Sequence, residues 1–241
     1  MSLNYLIAYF FPRLDSLQPL WLPLGLVFGY LAIIVVFTES LNRSHQSDAE
    51  LTRKVVHIST GNVILFAWWF NIPASVGITA SVLASLVALA SYYVPILPSI
   101  NSVGRKSLGT FFYAVSIGIL VAYFWSIHSP YYAVIGILVM AWGDGLAAII
   151  GRRFGKHRYE VGSITKSWEG SLTMALASYL VVFLVLWSIQ GNLWQTWLIS
   201  FCVAIFATSL EAFSQLGIDN LTVPLGSATC AFFLSQVLSG L

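Results

Sequence analysis

Long apolar segments separated by short polar connections make up most of this chain. A membrane-spanning helix needs about 20 mostly apolar residues, and eight segments meet or approach that length. They lie near residues 20–38, 55–70, 73–93, 109–127, 131–150, 171–188, 195–212 and 222–240. Only helices and closed barrels satisfy their backbone hydrogen bonds inside a bilayer, and these segments lack the alternation of barrel strands. The sequence therefore predicts an all-α, polytopic transmembrane bundle of about 7–8 spanning helices.

The scarcity of charge excludes a water-soluble globular domain. Only 8% of the residues are charged and 58% are hydrophobic, with a mean hydropathy of +0.84, whereas soluble domains carry about 25% charged residues. The length suits one compact bundle, so we interpret residues 1–241 as a single domain, with residues 1–19 as an interfacial or re-entrant N-terminal segment. Cys202 and Cys230 lie in apolar segments, where packing is their expected role, and no disulfide framework is indicated.

The basic residues lie almost entirely on one side of the predicted bundle. When the eight segments cross the bilayer alternately, ten of the eleven lysines and arginines fall on one side, and only Arg13 falls on the other. Cytoplasmic connections carry an excess of Lys and Arg, so this side is predicted to be cytoplasmic, in a bacterial plasma membrane or a thylakoid. The long polar connections share that side, where we therefore expect an active site.

The region after the fifth segment combines glycines, cations and carboxylates. Asp144 stands late in that segment, where a buried carboxylate needs a cation, a metal or a proton. The connection over residues 151–170 is predicted to be a glycine-rich nucleotide loop, because glycines let backbone N–H groups approach phosphate oxygens. Its candidate residues are Gly151, Gly155, Lys156, Lys166, Ser167, Glu169 and Gly170. The alternatives are an ion pair between Asp144 and a cation of this connection, and helix capping by Glu169.

A second polar group lies at the start of the second segment. On a helix, Arg53 and His57 share one face at a spacing of four residues, and Lys54 points about 100° away. Two cations and an imidazole are therefore expected to face the bundle from its cytoplasmic end. The alternative is that Arg53 and Lys54 only anchor the end of the helix.

Acidic residues near the last segment have no cation close to them in sequence. Glu211 and Asp219 lie on the predicted cytoplasmic side, and Asn220 follows Asp219. These acids would repel a phosphate unless they are neutralised, so a metal or a distant cation is expected. A solvated turn capped by Asp219 is the alternative. Attraction to anionic headgroups explains Arg105 and Lys106, in another connection of the same side.

These motifs resemble those of the polyprenol kinase family, which includes dolichol, phytol and farnesol kinases and is related to phosphatidate cytidylyltransferases. The resemblance rests on Arg53-Lys54-x-x-His57, Gly143-Asp144 with Gly151, Gly155 and Lys156, Lys166-Ser167-Trp168-Glu169-Gly170-Ser171, and Asp219-Asn220-x-x-x-Pro224. It covers most of the chain, and the chain length and the Ser-Trp-Glu-Gly-Ser sequence look most like the phytol kinase branch. Ser171 stands where dolichol kinases usually have threonine.

The resemblance implies a lipid-alcohol kinase that transfers the γ-phosphate of CTP, or of another nucleoside triphosphate, to phytol or a related isoprenoid alcohol. It implies Mg²⁺ as cofactor, and the nucleotide, the isoprenoid alcohol and the bilayer as partners, with no nucleic acid. The implied catalytic residues are Arg53, His57, Asp144, Lys166, Glu169 and Asp219. The implied nucleotide-binding residues are Lys54, Gly151, Gly155, Lys156, Ser167, Gly170 and Asn220. The implied metal ligands are Asp144, Glu169 and Asp219.

Other functions are compatible with the same charges. A cytidylyltransferase acting on a lipid phosphate would release pyrophosphate from CTP, whereas a kinase releases CDP. A carrier of phosphorylated lipids would use the cations for binding and would consume no nucleotide. Within the kinases, dolichol or farnesol is the alternative acceptor. The pattern of cations does not separate these functions; the resemblance favours the kinase.

Overall fold

The computed structural model describes residues 20–43, 49–93, 108–162 and 164–238, most of which are helical. The helices are α1 (Trp21–Arg43), α2 (Ala49–Gly61), α3 (Val63–Trp69), α4 (Ala74–Tyr93), α5 (Gly109–Ser126), α6 (Pro130–Leu138), α7 (Gly145–Phe154), α8 (Trp168–Gln190), α9 (Trp194–Phe213) and α10 (Asp219–Leu238). A π-helical turn, Val139–Asp144, joins α6 to α7. A hairpin of strands β1 (Arg158–Val161) and β2 (Ile164–Ser167) precedes α8.

Seven helical stretches of the described chain are long and apolar enough to cross a membrane. They are α1, α4, α5, the continuous helix from α6 to α7, α8, α9 and α10. The chain is therefore a polytopic helical bundle and a multi-pass integral membrane protein, as predicted. The segment predicted over 55–70 differs, because it divides at Asn62 into α2 and α3. Neither half is long enough to span, and α2 carries Arg53, Lys54 and His57.

The connection predicted over residues 151–170 has regular structure in most of its length. It contains the last turn of α7, the hairpin and the start of α8. The two strands are antiparallel, and Gly162 at the tip has a φ of +60°, which residues with a side chain rarely adopt. The N-terminal segment predicted over residues 1–19 and the pair Arg105–Lys106 lie outside the described residues.

The continuous helix from Pro130 to Phe154 is the centre of the bundle. Helices α5, α8 and α10 pack along it, α3 contacts α6, and α2 contacts the π-helical turn and α7. Lipid is as apolar as a leucine side chain, so close packing at small residues drives helix association in a bilayer. At Gly136, a Cβ would meet the carbonyl oxygen of Pro224 in α10 and would lie 3.0 Å from the Cβ of Ala228.

Large apolar side chains cover the outside of the bundle. Leucines recur at every fourth residue of α8, and each is more than half exposed: Leu172, Leu176, Leu180 and Leu184. An exposed stripe of this kind indicates contact with lipid in a chain of this composition. Trp187, Trp194 and Trp197, also at least half exposed, lie around the α8–α9 turn, as is typical of the aromatic belt at a membrane surface.

The connections between helices divide between two ends of the bundle. At one end the hairpin contacts the α9–α10 connection, where Gln215 Nε2 donates to the carbonyl oxygen of Val161 at 3.4 Å. At the other end the turns around Asn71 and His128 line one groove with Ile189. The turns at that second end contain no Lys, Arg, Asp or Glu. The polar chemistry of the described chain is therefore concentrated at the end that carries the hairpin.

The variant Gly136→Ala is expected to destabilise the bundle, because the added Cβ forces α10 away from the central helix. Overpacking of this kind costs about 1–3 kcal/mol, so the thermal unfolding temperature in detergent should fall by several degrees. Gly25→Ala in α1 is the matched control, since nothing lies within 4 Å of its Cβ position. Equal unfolding temperatures for the two variants would contradict close packing at Gly136.

Candidate active site

A buried ion pair joins α2 to the central helix. Lys54 Nζ donates to Asp144 Oδ2 at 2.6 Å, and each side chain is only 11% exposed. A charge buried in a membrane bundle is costly unless it has a partner of opposite charge. Asp144 thus has the counter-charge that its sequence position requires. The cation comes from α2, however, and not from the connection over 151–170.

The π-helical turn determines where Asp144 lies. A π-turn fits an extra residue into the helix and so rotates everything beyond it relative to a regular α-helix. On either side of Asp144, Gly143 packs on Met174 of α8 and Gly145 packs on Ile58 of α2, each so closely that a Cβ would collide. The turn is therefore held between α8 and α2, which brings its terminal carboxylate to α2.

His57 and Arg53 of α2 also belong to this cluster. His57 Nε2 lies 3.9 Å from Asp144 Oδ2, and the ring packs on Tyr113 with centroids 4.6 Å apart. This buried nitrogen has no hydrogen-bond partner among the described residues. The charge of Arg53 also acts on Asp144. The predicted inward orientation of these residues is confirmed, and the flexible Lys54 side chain reaches the same carboxylate.

A second ion pair ties the hairpin to α9. Lys166 Nζ in β2 donates to Glu211 Oε1 at 2.6 Å and also contacts the backbone carbonyl oxygen of Glu211. The two side chains are 15% and 13% exposed. The sequence predicts a metal or a distant cation for this acid, but Glu211 is not among the predicted site residues. No local pattern could have found the pair, because its members are 45 residues apart.

Asp219, the first residue of α10, belongs to the same group of charges. Its Oδ1 accepts hydrogen bonds from the backbone and side-chain N–H groups of Asn220, both at 3.1 Å. The Asn220 side chain also donates to the carbonyl oxygen of Gly217 at 3.3 Å. The charges of Asp144 and of both buried lysines act on Asp219. Asp219 is thus bonded within its own turn and also belongs to the group of charges, and its catalytic or metal-binding role remains a prediction.

Glu169 lies elsewhere, at the base of the hairpin. Its carboxylate accepts the backbone N–H groups of Lys156 at 3.1 Å and of His157 at 3.2 Å, and it pairs with His157 Nδ1 at 2.8 Å. These bonds fasten the end of α7 to the first turn of α8. The carboxylate is therefore bonded within the hairpin base, and the metal-ligand role expected of it remains a prediction.

The glycines of the predicted nucleotide loop pack around Ser167. Ser167 Oγ caps α8 by accepting the Gly170 N–H at 3.1 Å. A Cβ on Gly151, Gly155 or Gly170 would come within 3.1 Å of that serine. The Gly155 N–H donates to the Gly151 carbonyl oxygen at 3.0 Å. These glycines allow α7 and α8 to approach closely, and their predicted contact with phosphate remains a prediction.

The predicted site residues thus fall into two groups. The charged cluster contains Arg53, Lys54, His57, Asp144, Lys166, Asp219 with its neighbour Asn220, and additionally Glu211. The hairpin base contains Gly151, Gly155, Lys156, Ser167, Glu169 and Gly170. No three His, Cys, Asp or Glu side chains of the described chain form a metal-binding group. The predicted ligand set Asp144, Glu169 and Asp219 is therefore not assembled as a unit.

The chain is similar to known proteins over most of its length. The sequence profile of the cytidylyltransferase family matches residues 6–212. A phytol kinase from Synechocystis sp. is 55% identical over 92% of this chain and 95% of its own length. Phytol kinase 1, chloroplastic, from Arabidopsis thaliana is 30% identical over 85% of this chain and 72% of its own length. A probable phytol kinase, chloroplastic, from Triticum aestivum is 29% identical over 86% of this chain and 74% of its own length. No solved structure matches the chain.

Breaking the Lys54–Asp144 pair from one side is expected to destabilise the protein by about 3–5 kcal/mol, because the remaining charge stays buried without a partner. Lys54→Met and Asp144→Leu should each lower the thermal unfolding temperature. The double variant should recover most of the loss, because it buries no charge. Glu160→Gln, at an exposed acid of the hairpin, is the control that should change nothing. A double variant less stable than both single variants would contradict this account.

Proposed function

This chain belongs to the cytidylyltransferase family, and we propose that it is a lipid-alcohol kinase that phosphorylates phytol or a related isoprenoid alcohol. The observation that carries the proposal is the 55% identity to a phytol kinase over nearly the full length of both chains. The charged cluster supports it independently. A water-soluble nucleotide and a membrane-embedded alcohol can meet only at a polar end of the bundle, and the cluster lies at such an end.

Phosphoryl transfer needs positioning and charge stabilisation more than covalent help from the protein. CTP is the proposed donor. The alcohol oxygen forms a bond to the γ-phosphorus, the bond between the γ-phosphorus and the oxygen that bridges to the β-phosphorus breaks, and CDP is the leaving group. Lys54, Lys166 and Arg53 are proposed to stabilise the negative charge of the transferring group. The alcohol proton goes to Asp219 or to the unpartnered ring nitrogen of His57, both of which belong to the cluster.

The carboxylates of the cluster fit a magnesium ion brought by the nucleotide. Mg²⁺ is usually held by one or two carboxylates together with substrate phosphates, not by a cage of protein ligands. Asp144 would hold it, joined by Asp219 if His57 is the base that takes the alcohol proton, whereas Glu169 is bonded within the hairpin base. When bound, the ion would neutralise charge on the phosphates.

The cluster is proposed to face the cytoplasm, in a bacterial plasma membrane or a thylakoid. The excess of Lys and Arg at this end supports that orientation. The isoprenoid chain would lie among the exposed apolar side chains of the bundle, with its hydroxyl at the cluster. The hairpin base, with exposed Lys156, would contribute to binding of the nucleotide from the aqueous side.

Cytidylyl transfer to a lipid phosphate is the second candidate, because the family that the chain matches is described as cytidylyltransferases. The relatives named as phytol kinases favour phosphoryl transfer. A lipid-phosphate carrier would bind the same ligands and leave the nucleotide intact.

An assay with CTP labelled at one of two positions distinguishes these functions. The purified protein in detergent receives Mg²⁺ and phytol, geranylgeraniol, farnesol or a long polyprenol, with CTP labelled either at the γ-phosphate or in the cytosine. We expect label in the lipid only from the γ-phosphate, and most with phytol. With a lipid phosphate as acceptor, label from the cytosine alone would mean cytidylyl transfer. No transfer from any nucleotide by a folded sample would contradict both enzyme functions.

A further inference from the structure

The hairpin is attached to the last turn of α9 and to the α9–α10 connection, at one point each. Lys166 in β2 bonds both the carboxylate and the backbone carbonyl oxygen of Glu211. At the tip, Gln215 Nε2 donates to the Val161 carbonyl oxygen at 3.4 Å, and a Cβ on Gly162 would collide with the same amide. The position of Lys166 is thus fixed by α9 as well as by its own strand.

Glu211 restricts what the ammonium group of Lys166 can do. An ammonium group has three N–H donors, and the carboxylate and the carbonyl of Glu211 take two of them. At most one donor remains for a ligand, and its direction is set by the other two. Both side chains are mostly buried, so the attraction between them is only weakly screened by salt.

Glu211 also interacts electrostatically with the cluster around Asp144. The charges of Asp144 and Asp219 act on it in addition to that of Lys166. Glu211 is therefore paired with the hairpin through Lys166 and is also influenced by the carboxylates of the central helix and α10. An acid in such a place would repel phosphate if it stood alone, but its charge is matched by the lysine that it holds.

We propose that Glu211 is the positioning residue for Lys166, fixing its one remaining N–H donor toward the phosphates of the nucleotide. This rests on the proposed nucleotide-dependent function. A lysine held in one conformation loses less rotamer freedom when it binds, and misplacement of such a group by about 1 Å can reduce turnover by roughly 100-fold. Glu211 itself contacts no substrate in this account, so its effect passes entirely through Lys166.

The test compares Glu211→Gln with Glu160→Gln, the same change at an exposed acid of β1. Glu211→Gln is expected to lower kcat/KM for CTP by roughly 10- to 100-fold, while KM for phytol stays within about twofold of wild type, as for a residue that acts on the nucleotide alone. Glu160→Gln should match wild type. Glu211→Asp keeps the charge and should therefore have a kcat/KM for CTP between those of Glu211→Gln and wild type. It also replaces Glu211→Gln as the test variant if the glutamine variant does not fold.

A double-mutant cycle on nucleotide binding separates positioning from general damage. The affinity for labelled β,γ-methylene-CTP, which cannot transfer its γ-phosphate, is measured without phytol for Glu211→Gln, Lys166→Met and the pair. If Glu211 acts through Lys166, its substitution causes no further loss of affinity once Lys166 is gone, and it removes the repulsion from an acid left without its lysine. Additive losses, or a Glu211→Gln enzyme with wild-type kinetics, would overturn the proposal.

The two proposals fail in different ways. If wild-type protein transfers phosphate and Glu211→Gln behaves as Glu160→Gln does, the kinase function stands and the role of Glu211 is wrong. If wild-type protein binds the CTP analogue but transfers nothing to any alcohol, the kinase function is wrong. The binding cycle still decides whether Glu211 positions Lys166 in that case.

Discussion

The ion pair between Lys54 and Asp144 connects α2 to the central helix at the polar end of this bundle. Neither charge is tolerable alone where it lies, so α2 and the central helix are held in one relative position. His57, Arg53 and Asp219 gather around the same carboxylate. The residues that stabilise this end of the fold are therefore the residues proposed to handle phosphate. A site of this kind is assembled by the packing of helices and does not exist in any one segment.

Neighbouring residues in the run Lys166–Gly170 have different structural roles where β2 passes into α8. Side chains alternate between faces in β2, and Lys166, near its end, points toward α9 and the cluster. Ser167 caps α8, Glu169 fastens the end of α7 beside it, and Gly170 lets the two helices touch. The cluster is thereby set on a rigid base. Only Lys166 of these four residues reaches the charges around Asp144.

The sequence was sufficient for the architecture and for the end of the bundle at which the polar residues meet, because hydropathy and the placement of cations are local properties. It predicted the helical bundle, the polar end and the inward face of Arg53 and His57. It could not predict the division at Asn62 or the π-helical turn that directs Asp144 toward α2, since both depend on packing between helices. The Lys166–Glu211 pair was missed for the same reason. An open phosphate-binding loop and close packing of helices both require glycine, so the sequence alone does not distinguish these two roles for Gly151, Gly155 and Gly170.

The most direct test of the account is an experimental structure of the protein in lipid nanodiscs with Mg²⁺ and β,γ-methylene-CTP. The account predicts the triphosphate at the charged end of the bundle, with its γ-phosphate between the ammonium groups of Lys54 and Lys166. It also predicts that Lys166 remains bonded to Glu211 in the complex. A triphosphate held only by the outer surface of the hairpin near Lys156, away from α2, would contradict the assignment of the buried cluster as the site of transfer.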